Sequence, residues 1–590
     1  MQKLRTAPLA LVAAIAAFSL SSAHAEPALG VGADLTVPRL QPSFADLGYD
    51  DFADDIAVDV KDGLSDADIV ALGQEYGLDL HDNSPGRKDD ANIAVAHTSR
   101  DRVRSLVERL SHDPRVERAE PMGELRANFV PNDPKYAEQW HLTRVGAERA
   151  WDLSCGTGVT VAVIDTGVAC YDEAGFTKGS DLAGTRCVAG YNFVEKNDRA
   201  ADDHGHGTHV AGTIAQTTNN GIGVAGLAFC AKVMPVKVLS ASGSGTTADV
   251  AEGIRFAADH GAQVINLSLG GPIKSRILED AVNHARAKGA LVVAAAGNSG
   301  RSVGYPAAYP GVLAVSATDK NDKIAWFSSR GSEVGIGAPG VAVTQQTICN
   351  KGKDQCEVFG VFNGTSMASP HVAGAAAMVV ATGITDPDAV RATLERTSVP
   401  KEDPKLFGAG ILDAAKATTS AIFTQHLLPR LLAVIALLFL LGRRIRGQRG
   451  VLSTNPGTWV GVLLGGFGLF PFAGLLGLVS RLGPARTVIE TVLTHPVGEW
   501  DLSLDVGLHK YLPLANALPV LAAFGLFFGV KKLRPVIGGL ALGTAAFLAQ
   551  MAISGDVFFA FGNVPMRIFA VANAALCVWL ARVSLDGKKS

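Results

Sequence analysis

Asp165, His206 and Ser366 supply the side chains that turn an alcohol into a nucleophile. A serine hydroxyl attacks poorly at neutral pH. It needs a histidine to take its proton and a buried carboxylate to fix the histidine tautomer and stabilise the imidazolium. Ser366 lies in Asn363-Gly-Thr-Ser-Met-Ala-Ser-Pro-His-Val-Ala-Gly374, where a glycine turn runs into a small-residue stretch suited to a helix. The helix dipole there favours charge developing near the serine. Acyl transfer also needs donors for a tetrahedral oxyanion, and the amide of Asn298 with the Ser366 backbone N–H is suited to that role.

Each group needs an element to hold it. Asp165 closes the run Val159 to Ile164, which reads as a fully buried strand ending in Asp-Thr-Gly, and Asn298 follows the similar run from Leu291. His206 opens His-Gly-Thr-His-Val-Ala-Gly-Thr-Ile-Ala, a pattern that suits a helix starting at the histidine. Apolar strands at Val159 to Ile164, Lys232 to Val238, Ala262 to Leu267, Ala290 to Ala295 and Gly311 to Ser316 alternate with helical stretches. The pattern predicts an α/β fold: a mostly parallel sheet with helices on both faces and active groups at the carboxyl ends of its strands.

Val161-Ala-Val-Ile-Asp-Thr-Gly167, His206-Gly-Thr-His-Val-Ala-Gly212, Gly297-Asn298 and Gly364-Thr-Ser-Met-Ala-Ser-Pro370 stand in the order acid, histidine, oxyanion amide, serine. The region from about residue 130 to 418 thereby resembles the subtilisin family of serine proteases, the subtilases or peptidase S8 family, whose triad follows the same order. The resemblance assigns the base to His206, the first residue of its motif, rather than to His204 or His209, and it implies a subtilisin-like fold and hydrolysis of polypeptides. It also implies that Gly243-Ser244-Gly245 and Ser268-Leu269-Gly270 pair with an extended substrate backbone. It walls the primary pocket with Ala294, Ala295, Ala296 and Gly297, puts Gly304 at its base, and so favours apolar or aromatic residues before the scissile bond. Thr247 stands where relatives often carry an aromatic side chain, which makes the more distant pocket shallower. The loop Thr218 to Val224 resembles the family's calcium loop, with Asn220, Asp181 and Asp133 as ligands; an insertion between Val168 and Asp181 departs from the compact family pattern.

The 590 residues exceed one domain, and a net charge of −3 argues against a nucleic-acid partner. Residues 1–25 read as a secretory signal peptide: Lys3 and Arg5, an apolar core from Pro8 to Leu20, and Ala23-His24-Ala25 before the cut. Residues 26–51 read as a linker. Residues 52–122 give a βαββαβ pattern, ferredoxin-like, with strands at Ile56 to Val60, Leu78 to Leu80, Asn92 to Ala96 and Val116 to Glu120. This small α+β domain resembles the inhibitory propeptide of subtilases, which would make the chain a zymogen, cut autocatalytically in the processing region 123–134 ahead of the catalytic domain 135–420. Six of the seven cysteines lie in the protease region, as expected of three disulfides in an exported domain. Six cysteines allow fifteen connectivities. The short loops favour Cys170 with Cys187 and Cys349 with Cys356, leaving Cys155 with Cys230.

Residues 421–590 are apolar and read as an all-α membrane region of about five spans: Ile422 to Gly442, Trp459 to Val479, Leu512 to Val530, Pro535 to Ser554 and Arg567 to Leu580. Arg430 is expected to snorkel to the outer interface, and His495, Glu499, Asp501 and Asp505 to lie in a solvated loop. Basic residues follow the first span (Arg443, Arg444, Arg446, Arg449), the third (Lys531, Lys532, Arg534) and the fifth (Arg582, Lys588, Lys589). Basic loops stay cytoplasmic, so the protease is expected outside the cytoplasm. A membrane sensor or transporter-like module is the competing reading; the complete set Asp165, His206, Ser366 and Asn298 favours an enzyme.

Overall fold

The computed structural model describes residues 54–61, 63–83, 92–122, 129–172, 175–348, 359–448, 452, 454–469, 494–503 and 511–586. The leader, the linker, Cys349, Cys356 and Asp505 lie outside the described residues. Two compact units divide the chain, one within Ala25–Ala127 and the other within Asn128–Ser590.

In the smaller unit, strands β1 (Asp55–Val60), β2 (His81–Asp82), β3 (Asn92–His97) and β4 (Val116–Pro121) form an antiparallel sheet in the order β2-β3-β1-β4, with helices α1 (Asp66–Tyr76) and α2 (Arg100–Leu110). Alternation in β1 sends Ile56, Val58 and Val60 into the core. Ser65 caps α1 through a reciprocal box with Asp68, and Gly77 ends it in the left-handed region at φ 67°. The short strand is His81–Asp82 and not the expected Leu78 to Leu80. Leu78 and Leu80 are drawn into the core instead, where Leu80 packs against Gly73 of α1.

In the larger unit, β5 (Thr160–Asp165), β6 (Arg186–Cys187), β7 (Tyr191–Asn192), β8 (Lys232–Lys237), β9 (Val264–Leu267), β10 (Leu291–Ala295), β11 (Val312–Thr318) and β12 (Val334–Pro339) build one sheet. Its order is β12-β11-β10-β9-β5-β8-β6, with β7 beside β8, and its pairs are parallel. Helices α3 (His206–Ala215), α4 (Thr247–Asp259), α5 (Arg276–Ala287) and α6 (Thr365–Ala381) cover its two faces. One core contains residues of β5, α3 and α6; the other contains residues of β8, α4 and α5. Helix α6 is apolar around most of its circumference because it runs through the first core rather than over its surface. Disulfides Cys155–Cys230 and Cys170–Cys187 are both present.

Among the described residues, three C-terminal helices are long and apolar enough to cross a membrane: α7 (Ala414–Gly447), Lys531–Ser554 and Asn563–Leu585. Around them lie the shorter α8 (Pro456–Gly466) and α9 (Leu518–Phe527); α10 (Arg534–Ser554) and α11 (Asn563–Leu585) complete the bundle. The expected second span is described only to residue 469. Gly461 and Gly465 of α8 meet the backbone of α10, and Gly539 and Gly543 of α10 meet that of α8, so two helices with paired small residues touch backbone to backbone.

Arg430 does not snorkel. It is 2% exposed, and its guanidinium bonds Glu499 at 2.6 Å, Gln550 at 3.1 Å and the Gly466 carbonyl at 3.2 Å. Glu499 and Asp501 are likewise buried, at 4% and 6% exposure, rather than solvated. Their loop folds inward because a desolvated arginine requires a carboxylate partner.

Candidate active site

Asp165 is the last residue of β5 and has no exposed surface; His206 opens α3; Ser366 lies in the first turn of α6. The His206 Nδ1–H donates to Asp165 Oδ1 at 2.7 Å, which leaves Nε2 as the acceptor facing outward. Burial opposes charge on this imidazole, but the charge and hydrogen bond of Asp165 outweigh it and raise its pKa above the ordinary 6.5. Ser366 Oγ–H donates to the Ser268 carbonyl at 3.0 Å. One cleft is lined by His206, Ser366, Asn298, Gly243 to Gly245 and Ser268 to Gly270.

Asn298 lies beyond β10 with its Oδ1 accepting from both Thr365 N and Thr365 Oγ1 at 2.9 Å. That satisfies the carbonyl side and turns the Nδ2 donors toward the cleft. Pro370 has no N–H to return to the Ser366 carbonyl four residues earlier. The Ser268 hydroxyl donates to that carbonyl instead, at 2.8 Å. The Ser366 backbone is therefore fixed from the end of β9 as well as from its own helix.

Several positioning residues escape a reading of the motifs. Asp202 accepts from Thr166 Oγ1 at 2.8 Å, from Thr208 N at 2.9 Å and from Gly205 N at 2.9 Å, tying the end of β5 to the start of α3. Lys237, 2% exposed, donates to the Thr166 and Leu239 carbonyls and to Asp203, each at 2.7 Å. The two acids three and four residues before His206 and the lysine closing β8 were the available signals. His209 is buried, donating from Nε2 to Val343 O at 3.1 Å, and Ser369 donates to Asn266 at 2.7 Å, so both hold the scaffold.

Of the expected pocket wall, Ala294, Ala295, Ala296, Gly297 and Gly304 do not line this cleft. Ala294 and Ala296 pack in the core, because alternate side chains of β10 face α5 and its neighbours. Ala295 is also buried, while Gly297 receives support from Thr365 Oγ1, which accepts its N–H at 3.1 Å. Gly304 packs beside Gly271, and Thr247 lines the cleft. No Asp, Glu, Lys or Arg is among the lining residues.

Asp133 and Asp181 are buried beneath the loop 218–224. Asp133 accepts from Asn219 N at 2.7 Å and Asn220 N at 3.3 Å, and Asp181 from Asn220 Nδ2 at 2.7 Å and Val224 N at 2.9 Å. Burial pushes the Asp181 carboxyl up to about 7. Neither carboxylate pairs with a Lys or Arg among the described residues. Two such carboxylates beside an amide side chain fit a hard cation with oxygen preference, although the described residues hold no cluster of three His, Cys, Asp or Glu.

Residues 156–410 match the subtilase family, peptidase S8. The chain is 42% identical over 286 residues to thermitase of Thermoactinomyces vulgaris, covering 48% of this chain and 94% of thermitase. It is 43% identical over 282 residues to subtilisin Savinase of Lederbergia lenta, covering 47% and 98% respectively. Against a thermophilic serine proteinase of Bacillus sp. (strain AK1) the identity is 42% over 311 residues, 52% of this chain and 72% of the relative. With this likeness over nearly the whole of thermitase, the chain belongs to the subtilase family and is a subtilisin-type serine endopeptidase.

Proposed function

We propose that Asp165, His206 and Ser366 are the catalytic triad and that Asn298 with the Ser366 N–H forms the oxyanion hole. The observation that carries this reading is the 2.7 Å His206–Asp165 bond at the edge of a cleft that Ser366 and Asn298 also line. Ser366 Oγ turns from the Ser268 carbonyl to His206 Nε2, which takes its proton as the oxygen attacks the peptide carbonyl. His206 then protonates the departing amine, and water repeats the sequence on the acyl-enzyme. An uncharged cleft with Leu239, Leu269 and Tyr305 in its lining supports a preference for apolar or aromatic residues before the scissile bond.

The enzyme is a zymogen in this reading. The ferredoxin-like unit is its propeptide and inhibitor, and the chain cuts itself in the region 123–134. Asp133, Asp181 and Asn220 would hold calcium, which would stabilise the loop and take no part in the reaction. Residues 1–25 are a signal peptide, and the C-terminal helices anchor the protease outside the cytoplasm. In support, the basic ends of α7 and α11 lie together: Arg582 bonds Gln448, and Leu452 bridges Asp586.

The test expresses the full chain and Ser366→Ala side by side, with folding checked by circular dichroism. A fluorophosphonate should label the wild type alone, and only the wild type should shorten itself. Equal labelling of both would overturn the assignment of Ser366.

A further inference from the structure

The protease and the helices after it meet along a seam inside the larger unit. On the protease side, the seam is built from the end of the sheet where strands begin. Ser154 and Thr157, which precede β5, border a cavity of about 60 Å³ together with Thr382, Arg430, His495 and Glu499. Gly289, just before β10, packs against the Phe558 ring. The turn after α6 is held by Thr385 N and Asp386 N, which donate to the Asp556 carbonyl at 2.8 and 2.9 Å, and Phe558 N donates back to Thr385 Oγ1 at 2.9 Å. Gly383 of that turn lies against the Glu499 carboxylate.

The catalytic groups occupy the other end of the same elements. Asp165 ends β5, Asn298 follows β10, and Ser366 begins α6. From Ser366 to Thr382 along α6 is about 24 Å at the helical rise, and β5 climbs about 16 Å in the opposite sense. Two elements running in opposite directions thus connect seam to cleft.

The platform under the seam is itself tied together. Arg430 of α7 binds Glu499 and Gln550; His495 donates to Glu499 at 3.1 Å, and Gln550 Nε2 donates to Asp556 Oδ2 at 2.8 Å. The residues that touch the protease, Glu499 and Asp556, are therefore fixed to α7 and α10 by a buried polar network. Freeing any member would strand a polar group without water, so the network resists hinge motion.

We infer that the protease stands fixed on its helical bundle with the cleft facing away. Its substrates are then polypeptides that reach at least about 20 Å beyond the bilayer surface, and the membrane-flanking stalks of neighbouring proteins are spared. The inference rests on the membrane anchoring proposed above.

The full-length enzyme is reconstituted in phosphatidylcholine vesicles and given one fluorogenic apolar peptide in three forms: free, or joined to a lipid through about 2 or about 20 flexible residues, with mean reaches of about 8 and 25 Å. The free and long-tethered peptides should be cut at similar rates, and the short-tethered one at least about tenfold more slowly because its tether cannot span the gap. Equal cutting of short and long tethers would overturn the inference. As a second measurement, a fluorophosphonate dye on Ser366 should escape quenching by lipids spin-labelled at the headgroup; strong quenching would overturn it too. Failure to cut the free peptide would instead remove the protease-site assignment, and failure to float with vesicles the membrane reading, each taking the inference with it.

Discussion

Thr365 does for Asn298 what Asp165 does for His206: it occupies one side of a two-sided group so that the other side faces the cleft. Asn298→Ala removes a donor that strengthens only as the oxyanion forms, so kcat should fall about 10²–10³-fold with KM little changed, a magnitude taken from subtilisin itself. A loss confined to KM would contradict the oxyanion role. The pH profile tests the other pair. His206 must be neutral to accept a proton, and Asp165 raises its pKa above 6.5 against the effect of burial. Activity should therefore be full well above that value and fall as pH drops through it, with the midpoint of kcat/KM on the alkaline side of 6.5. In Asp165→Asn the residual activity should have its acid limb at lower pH, since the raising charge is gone. An unmoved limb would show that another group titrates.

Behind Ser366, α6 carries the buried His371, with buried His141 bonded to it and buried His209 nearby. His371 Nδ1–H donates to Met367 O at 2.8 Å, which makes Nε2 the acceptor for His141 Nδ1–H at 2.7 Å. Burial lowers His371 to about 4 and His209 to about 3, and lowers His141 as well. In the unfolded chain these rings bind protons near pH 6.5. Stability is thus full above about 6.5 and falls as the pH drops toward 4, because the unfolded state takes up more protons there. His206 and Asp181, both raised in the folded state, have the opposite sign and offset part of this loss. Urea midpoints of Ser366→Ala, used to prevent self-digestion, should drop steadily between pH 7 and 5; a flat line would contradict the neutral cluster. The apolar run before Asp165 and the small-residue run after Ser366 revealed their strand and helix from sequence, since burial on both faces leaves a local pattern. His141 and His371 stand 230 positions apart and Arg430 and Glu499 69 apart, so no local periodicity marks either contact. Leu78 and Leu80 misled for a related reason: a short apolar run satisfies a strand and a core-packed turn alike.

At the scale of the whole molecule, the proposed maturation and the stability of the fold meet at one segment. Asn132 and Asp133 fall in the expected processing region 123–134, yet both are fastened to the calcium-type loop. Asn132 N donates to Asn219 Oδ1 at 3.2 Å, Gly221 N to Asn132 Oδ1 at 2.8 Å, and Asn219 N to Asp133 Oδ2 at 2.7 Å. Lys135 N adds a bond to the Gly223 carbonyl at 2.8 Å. A peptide bond within this fastened stretch cannot extend into a cleft. The mature enzyme should therefore begin at or before Asn132, which N-terminal sequencing of the self-processed protein reads directly; a start beyond Asp133 would contradict the fastening. The same geometry links the proposed new terminus to the proposed cation. An ion that binds the folded loop and not the unfolded chain stabilises by mass action, about 2.7 kcal/mol at a hundredfold excess over Kd. Chelation with EDTA should lower the Tm of the processed enzyme and expose its first residues to an added aminopeptidase, and calcium but not magnesium should restore both. Asp133→Ala should show the lowered Tm without EDTA and respond little to it. A processed wild type whose Tm ignores both EDTA and calcium would mean that the two buried carboxylates are satisfied by the N–H groups of the loop alone.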